Sequence, residues 1–203
     1  GGEVCVVWAA GPCGVEGEWA GCGQVAAADE RCGADVVLWG VRRKRTSATF
    51  GYIIADMAHA DADVYPVVRF VEKPEIQYAE KLIREGALWN GGVFAFKLGF
   101  LDDYIARYVK AGTIDEVRLR YLELPKISFD FEVVEKTSSV GVVPFNGNWK
   151  DLGTWNSLTE EMPDRTIGNA VMGEGSDGTP VLNELEIPIV CLCVKNAIVA
   201  ARL

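Results

Sequence analysis

Apolar runs alternate with stretches of helical period along most of the chain. "EVCVVWAAG" (3–11) reads as a buried strand closed by glycine, and "ADVVLWGV" (34–41) as a buried strand of the parallel type. "FGYII", "PVVRFVEK", "GGVFAFKL" and "SVGVVPF" read as further strands. Between them, "QVAAADERCG" suits a helix stopped by Gly33. "PEIQYAEKLIREG" predicts a better-marked helix, with Pro74 in its first turn, Gly86 at its end, and Ile76, Ala79, Leu82 and Ile83 on one face. "GFLDDYIARYVKAG" predicts another, with Leu101, Tyr104, Ile105 and Tyr108 on one side. "ISFDFEVVEKT" fits helix or strand. The helix is favoured because Phe131, Val134 and Glu135 then share a side. "DLGTWNSLTEEM" opens a last helix with Asp151 near its cap.

Strands alternating with helices predict an α/β layer fold around a mixed, mainly parallel sheet. The tail departs from that rhythm. "GNAVMGEG", "PVLNE" and "IPIVCLCV" offer short strands and turns without a helix. The expected organisation is an α/β domain over residues 1–166 and a small β-appendage over 167–203.

Composition narrows the partners. The 203 residues carry 20 Lys and Arg against 29 Asp and Glu, a net charge of −9. So acidic a chain is ill suited to nonspecific nucleic-acid binding, and a phosphorylated ligand needs a local basic pocket. No apolar run is long enough to span a bilayer, and the first residues lack the basic segment of a signal peptide. The six cysteines form no Cys-x-x-Cys, and the single His59 is far from them in sequence, which argues against zinc. Cys191 and Cys193 read as small core residues on one strand face. Free thiols point to a reducing compartment, the cytoplasm. "RRKR" (42–45) is the one basic cluster and reads as a solvated loop, while His59 reads as part of an exposed turn.

Four segments place polar residues at the end of an apolar run: "FVEKP" (70–74), "WNGGVF" (89–94), "ISFDFEVVEK" (127–136) and "WKDLGTW" (149–155). Strand ends of this kind line the ligand crevice of open α/β sheets. Lys73 is a cation suited to a phosphate, and Glu72 an acceptor for hydroxyls. Asn90 sets a two-faced amide beside Gly91 and Gly92, whose missing side chains let a polyhydroxylated ligand approach the backbone. Asp151 is a carboxylate suited to a divalent metal or a hydroxyl. Each also has a structural reading: a helix-start lysine, a turn before a strand, a helix cap, and a solvated face for Asp130 and Glu135.

In this order the segments resemble the bacterial mannose-1-phosphate guanylyltransferases (GDP-mannose pyrophosphorylases). That family's pattern runs G-Y-G-Y-I, F-x-E-K-P, W-N-S-G-M-F, S-x-D-x-x-x-x-E-K and W-x-D-x-G-S-W. "FGYI", "FVEKP", "WNGGVF", "SFDFEVVEK" and "WKDLGTW" match it, and the resemblance covers about residues 25–200. It implies a Rossmann-like nucleotide-diphospho-sugar transferase fold with a β-helical continuation. It implies transfer of GMP from GTP to mannose 1-phosphate with magnesium. Gly51, Tyr52, Glu72, Lys73, Asn90, Gly91 and Asp130 would contact substrate, Lys73 and Asp151 would be catalytic, and Asp151 would ligate magnesium. Gly91, Val93, Leu152 and Thr154 are mild departures.

The larger departure is N-terminal. The family opens with G-G-x-G-x-R-L-W-P-L-S, which cradles the triphosphate, and later carries a metal-binding P-x-D-H. This chain shows neither, so the expected fold is incomplete at its N-terminus. Gly11, Gly14 and Gly17 are spaced like a glycine loop, but Glu3, Glu16, Glu18, Asp29 and Glu30 precede the first basic residue, Arg31. Carboxylates without a cation repel a triphosphate. Two readings therefore stand: a sugar-1-phosphate nucleotidyltransferase, and a non-catalytic sugar-phosphate-binding or assembly domain. Exposed β-edges in the tail would favour a homo-oligomer.

Overall fold

Strand β2 (Val36–Val41) is buried at every position, and the rest of the first unit is arranged around it. In the computed structural model, residues 3–8, 25, 33–59, 63–147 and 149–202 are described. The chain divides into two units, residues 1–149 and 150–203, whereas the sequence pattern places the boundary after residue 166.

The first unit holds a six-stranded sheet in the order β1 (Val4–Trp8), β5 (Leu88–Lys97), β2, β6 (Val140–Phe145), β4 (Tyr65–Val71), β3 (Tyr52–Ala55), with β5 also reaching β3. Side chains alternate across β2. Val37, Trp39 and Val41 enter one core, together with Tyr52, Val93, Ala95 and Trp149. Val36 and Leu38 enter the other, with Phe94, Phe96 and Val142. Helix α1 (Ile76–Arg84) covers the first face through Ala79 and Leu82. Helix α2 (Leu98–Ile105) and the segment 129–134 cover the second through Tyr104, Val133 and Val134. Burial of a Val or Leu side chain contributes about 1.5–3 kcal/mol, so this double-sided packing is the main source of stability.

The sheet corrects one expectation. It is mixed, but among its described pairings only β2–β6 is parallel, and β1–β5, β2–β5, β3–β4, β3–β5 and β4–β6 are antiparallel. The reason is that a fully apolar run reports cover on both faces, and cover is indifferent to the direction of a partner strand. Among the described strands β1 is likewise at the sheet's edge, with Val6 exposed, where the sequence pattern expects a buried strand.

Helix α1 ends as its sequence predicts. Gly86 adopts φ +86°, its N–H bonds to the Ile83 carbonyl, and the Ala87 N–H bonds to that of Leu82. A short helix α3 (Ile114–Leu119), capped by the Thr113 hydroxyl, is not evident from the apolar pattern. Residues 130–134 are helical as expected, though wound as a π-turn, and the buried side is Glu132, Val133 and Val134 rather than a Phe131–Glu135 face. The glycine-rich stretch and most of the helix expected at 24–33 lie outside the described residues. Arg42, Lys44 and Arg45 are exposed in a loop, and His59 is exposed and bonded to Asp56.

The second unit begins with helix α4 (Trp155–Glu161). Its N-cap is Thr154, paired reciprocally with Ser157, and not Asp151. Short strands follow: β7 (Thr166–Ile167), β8 (Ala170–Met172), β9 (Val181–Asn183), β10 (Ile189–Cys191) and β11 (Val199–Ala201). They stack in parallel, with Thr166 and Val199 both opposite Val181, and Ala170 opposite Ile189. The parallel stacking expected of the main sheet is therefore found here. Cys191 is buried, but Cys193 lies beyond β10, exposed and at φ +55°, so the two do not share a strand face. Among the described residues no helix is long and apolar enough to cross a membrane.

Candidate functional site

The site starts from an irregularity in β5. Leu38 faces Phe94 and Gly40 faces Asn90, so Trp39 alone opposes Gly91, Gly92 and Val93. This bulge requires its glycines. Gly92 sits at φ +72°. A Cβ on Gly91 would stand 3.0 Å from the Trp39 carbonyl oxygen and 3.2 Å from a Val41 methyl. "Trp-Asn-Gly-Gly" is therefore part of the strand, and the bulge re-aims the residue ahead of it.

That residue is Asn90, buried at 9% exposure. Its Oδ1 accepts from the Gly92 N–H at 3.0 Å, and its Nδ2 donates to Asp130 Oδ1 at 2.6 Å. A flipped amide would set N–H against N–H and oxygen against carboxylate, so these two partners fix its orientation. The Asn90 N–H also bonds to the Gly51 carbonyl at 2.8 Å, tying β5 to the start of β3.

Gly51 makes room for the next group. A Cβ there would lie 2.4 Å from Glu72 Oε2, 2.9 Å from the Phe70 ring and 3.2 Å from Asn90 Cβ. Glu72, just past β4, is buried at 7% exposure. Its Oε1 lies 3.3 Å from Lys73 Nζ, while its Oε2 is buried with no partner among the described residues. Burial raises the Glu72 carboxyl to about 7. The nearby Asp130 charge adds to the rise, with a smaller push from Glu135, and Lys73 opposes it. A buried, unpartnered carboxyl oxygen costs stability.

Lys73 is half-exposed and has φ +46°, a left-handed backbone that is rare in lysine and immediately precedes Pro74. Such a conformation costs about 1–3 kcal/mol and clusters at ligand sites. Asp130 is carried by the π-turn, whose Val133 and Val134 pack on the second core. Gly51, Glu72, Asn90 and Asp130 are thus brought together, with Lys73 beside Glu72. Gly91 holds the bulge. Tyr52 is fully buried, and its hydroxyl donates to the Ser47 carbonyl and accepts from the Ser47 N–H, so its side chain anchors the preceding loop.

Asp151 belongs to the second unit and is half-buried there, its Oδ1 accepting from the Gly153 N–H at 3.0 Å. Among the described residues no cluster of three metal-ligating groups exists. Magnesium is commonly held by one or two carboxylates plus substrate phosphates, and one fixed carboxylate with an oxygen to offer fits that donor set.

Sequence reasoning missed two features. An aromatic wall of Phe50, Trp89 and Trp149, with ring centroids 4.6 and 6.4 Å from that of Trp89, backs the strand that carries Asn90. The tryptophans of two motif segments signalled it. The other is Glu132, whose burial on a helix otherwise closed by valines has no linear signature.

Residues 23–166 match the nucleotidyl transferase family, and the chain belongs to it. It is similar to a mannose-1-phosphate guanylyltransferase of Klebsiella pneumoniae, 27% identical over 82% of this chain and 40% of the relative. It is also 31% identical to the alginate biosynthesis protein AlgA of Pseudomonas syringae, over 69% of this chain and 33% of that protein. Among solved structures, one described as mannose-1-phosphate geranyltransferase from Thermus thermophilus superposes with a TM-score of 0.69 at 27% identity, covering 98% of this chain and 63% of that one. The chain thus spans well under half the length of these curated relatives.

Proposed function

We propose that this chain carries the sugar-phosphate side of a nucleotidyl transfer, in which GMP passes from GTP to mannose 1-phosphate. A phosphate oxygen of the sugar phosphate bonds to the α-phosphorus of the nucleotide. The bond from that phosphorus to the β-phosphate oxygen breaks, pyrophosphate leaves, and GDP-mannose remains. The relatives' names support mannose and guanylyl specificity.

The observation that carries the reading is the corner formed by Gly51, Glu72, Asn90 and Asp130 with Lys73 at its edge. Glu72 Oε2 and the Asn90 amide present an acceptor and a donor to adjacent hydroxyls. Lys73 supplies a cation next to them, and a charge-assisted bond to the phosphate contributes about 1.5–3 kcal/mol. Holding the phosphate there orients its attacking oxygen, and in phosphoryl transfer such positioning and charge neutralisation supply most of the catalysis. Asp151 would hold magnesium, which when bound neutralises phosphate charge. Soluble small-molecule substrates of this kind fit a cytoplasmic setting.

The rival reading, a sugar-phosphate-binding domain without turnover, is favoured by one observation. Residues 1–30 carry five carboxylates and no basic side chain ahead of Arg31. Pyrophosphate release from GTP, mannose 1-phosphate and magnesium separates the two. Turnover on the order of 10 per second, ordinary for an enzyme, establishes transfer by this chain. Sugar-phosphate binding with no release establishes the rival, and absence of both overturns the proposal.

A further inference from the structure

The π-turn that delivers Asp130 to Asn90 is held by a polar lock that Tyr104 and Tyr108 complete from outside the motif segments. Residues 130–134 are wound so that the Glu135 N–H bonds back to the Asp130 carbonyl at 2.9 Å. The segment meets the sheet through Val133 and Val134, both buried, and through Phe129, whose ring lies 5.2 Å from Phe94 and 5.5 Å from Phe96. Apolar contacts of this kind are non-directional. They set the depth of the segment and leave its rotation about its own axis weakly specified.

Glu132 adds directional contacts to these. The residue is buried at 9% exposure. Its Oε2 accepts from Lys136 Nζ at 2.6 Å, and its Oε1 accepts from the Tyr108 hydroxyl, with the Tyr104 hydroxyl 3.4 Å away. The Tyr104 hydroxyl donates to the Glu132 backbone carbonyl. Tyr104 is itself buried on α2, with the Arg107 guanidinium 4.4 Å over its ring. Glu132 is therefore held at its backbone by Tyr104 of α2, and at its side chain by Tyr108 just past α2 and by Lys136 four residues on. Lys136 and Tyr108 hold its carboxyl below the usual carboxylate range, so it is an anion throughout the neutral region. Asp130 lies two residues away. Its 2.6 Å bond to Asn90 tolerates little rotation of the backbone that carries it.

We propose that Glu132, gripped by Tyr104 and Tyr108 of the α2 region, is a positioning residue that sets the rotation of the π-turn and so holds Asp130 on the Asn90 amide. This rests on the reading of that corner as the sugar-phosphate site, but its geometric half stands apart from any ligand. Glu132 touches no substrate in this account and acts only through Asp130.

The test uses the full chain, unliganded and then with mannose 1-phosphate. The side-chain amide resonances of Asn90, assigned by their loss in Asn90→Ala, report the bond to Asp130, and Asp130→Ala gives their position when that bond is lost. In Glu132→Ala they should move most of the way to the Asp130→Ala position. Glu132→Gln, which keeps an oxygen for Tyr108 but loses the ion pair with Lys136, should move them part of the way. Tyr108→Phe, at a half-exposed ring, is the variant that keeps the fold if Glu132→Ala does not, and it should also move them. Val133→Ala, which destabilises the same segment by truncating an apolar contact, should leave them in place. Affinity for mannose 1-phosphate should fall about tenfold in Glu132→Ala and about two- to threefold in Glu132→Gln, tenfold being one decade of dissociation constant. Unmoved Asn90 resonances in Glu132→Ala or Tyr108→Phe, or an equal movement in Val133→Ala, overturn the proposal. Failure of the unsubstituted chain to bind mannose 1-phosphate overturns the functional reading instead and leaves the resonance test standing.

Discussion

Two buried asparagines show how the two units of this chain differ. Asn183 in the tail, 5% exposed, donates to the Asn169 and Ile187 carbonyls and accepts from the Leu185 N–H. Both N–H donors and the oxygen are committed to backbone of its own coil. Thr179 and Ser176 nearby are equally committed, to the Val194 carbonyl and N–H. Asn90, also buried, commits its oxygen to its own bulge but gives an N–H to another side chain, Asp130. It stands beside Gly51, whose missing side chain makes room for a carboxyl oxygen without a partner among the described residues. Buried polar groups that close on the backbone hold a fold together. Buried polar groups left partly open cost stability and leave donors and acceptors to offer.

The largest effect should come where the tail's turns are tightest. Gly168 has φ +85°, and a Cβ there would lie 1.9 Å from the Asn183 carbonyl oxygen. Gly168→Ala should cost on the order of 5 kcal/mol by urea denaturation of the second unit, since backbone clash and a left-handed φ combine. A loss under about 1 kcal/mol would mean that the turn is not as tight as described.

Exchanging the roles of the two asparagines comes next. Asn183→Ala should cost about 3 kcal/mol, because several buried backbone groups lose their partner, and should leave mannose 1-phosphate affinity within about twofold of the unsubstituted chain. Asn90→Ala should cost about 1 kcal/mol of stability and at least about tenfold in affinity. If calorimetry and denaturation gave both variants the same profile, the contrast between closed and open polar groups would fail.

A smaller effect is expected from pH. The folded Glu72 carboxyl is raised from 4.5 to about 7, so between those values the folded chain holds a proton that the unfolded chain has released. Stability contributed at this position is therefore highest below about pH 4.5, falls as pH rises toward 7, and is flat above it. At about 1.36 kcal/mol for each pH unit between the two values, less what solvent screens, the fall is on the order of 2–3 kcal/mol. Glu72→Gln should lack it, so the stability difference between the two proteins should change across that window. A difference that stays constant from pH 4.5 to 7 would show that Glu72 is not buried next to Asp130.

Much of this is legible in the chain. The six apolar residues of β2 and the Gly86 stop of α1 announce themselves, because burial and left-handed caps leave local marks. The site segments are legible through their order along the chain and their family resemblance, and Gly51, Glu72, Asn90 and Asp130 do meet. Strand direction is not legible, since Val36–Val41 would read the same beside a parallel or an antiparallel neighbour. Nor is the bulge: "Asn-Gly-Gly" reads as a turn until Trp39 is known to lie against it. Tyr52 reads as a ligand contact in the sequence and is a core anchor in the fold, because only the position of Ser47 shows where its hydroxyl goes. Glu132 is invisible for the same reason, as both tyrosines that hold it lie more than twenty residues away.

The central claim is that the strand-end corner with Lys73 at its edge binds a sugar phosphate. Calorimetric titration of the full chain with mannose 1-phosphate, repeated on Lys73→Ala, tests it most directly. With two or three contacts, charge-assisted ones contributing about 1.5–3 kcal/mol each, a dissociation constant of roughly 1 mM is expected. Removal of the ammonium group should weaken it at least about tenfold, with the melting temperature retained. Equal affinity in the two proteins, with the fold intact in both, would contradict the account.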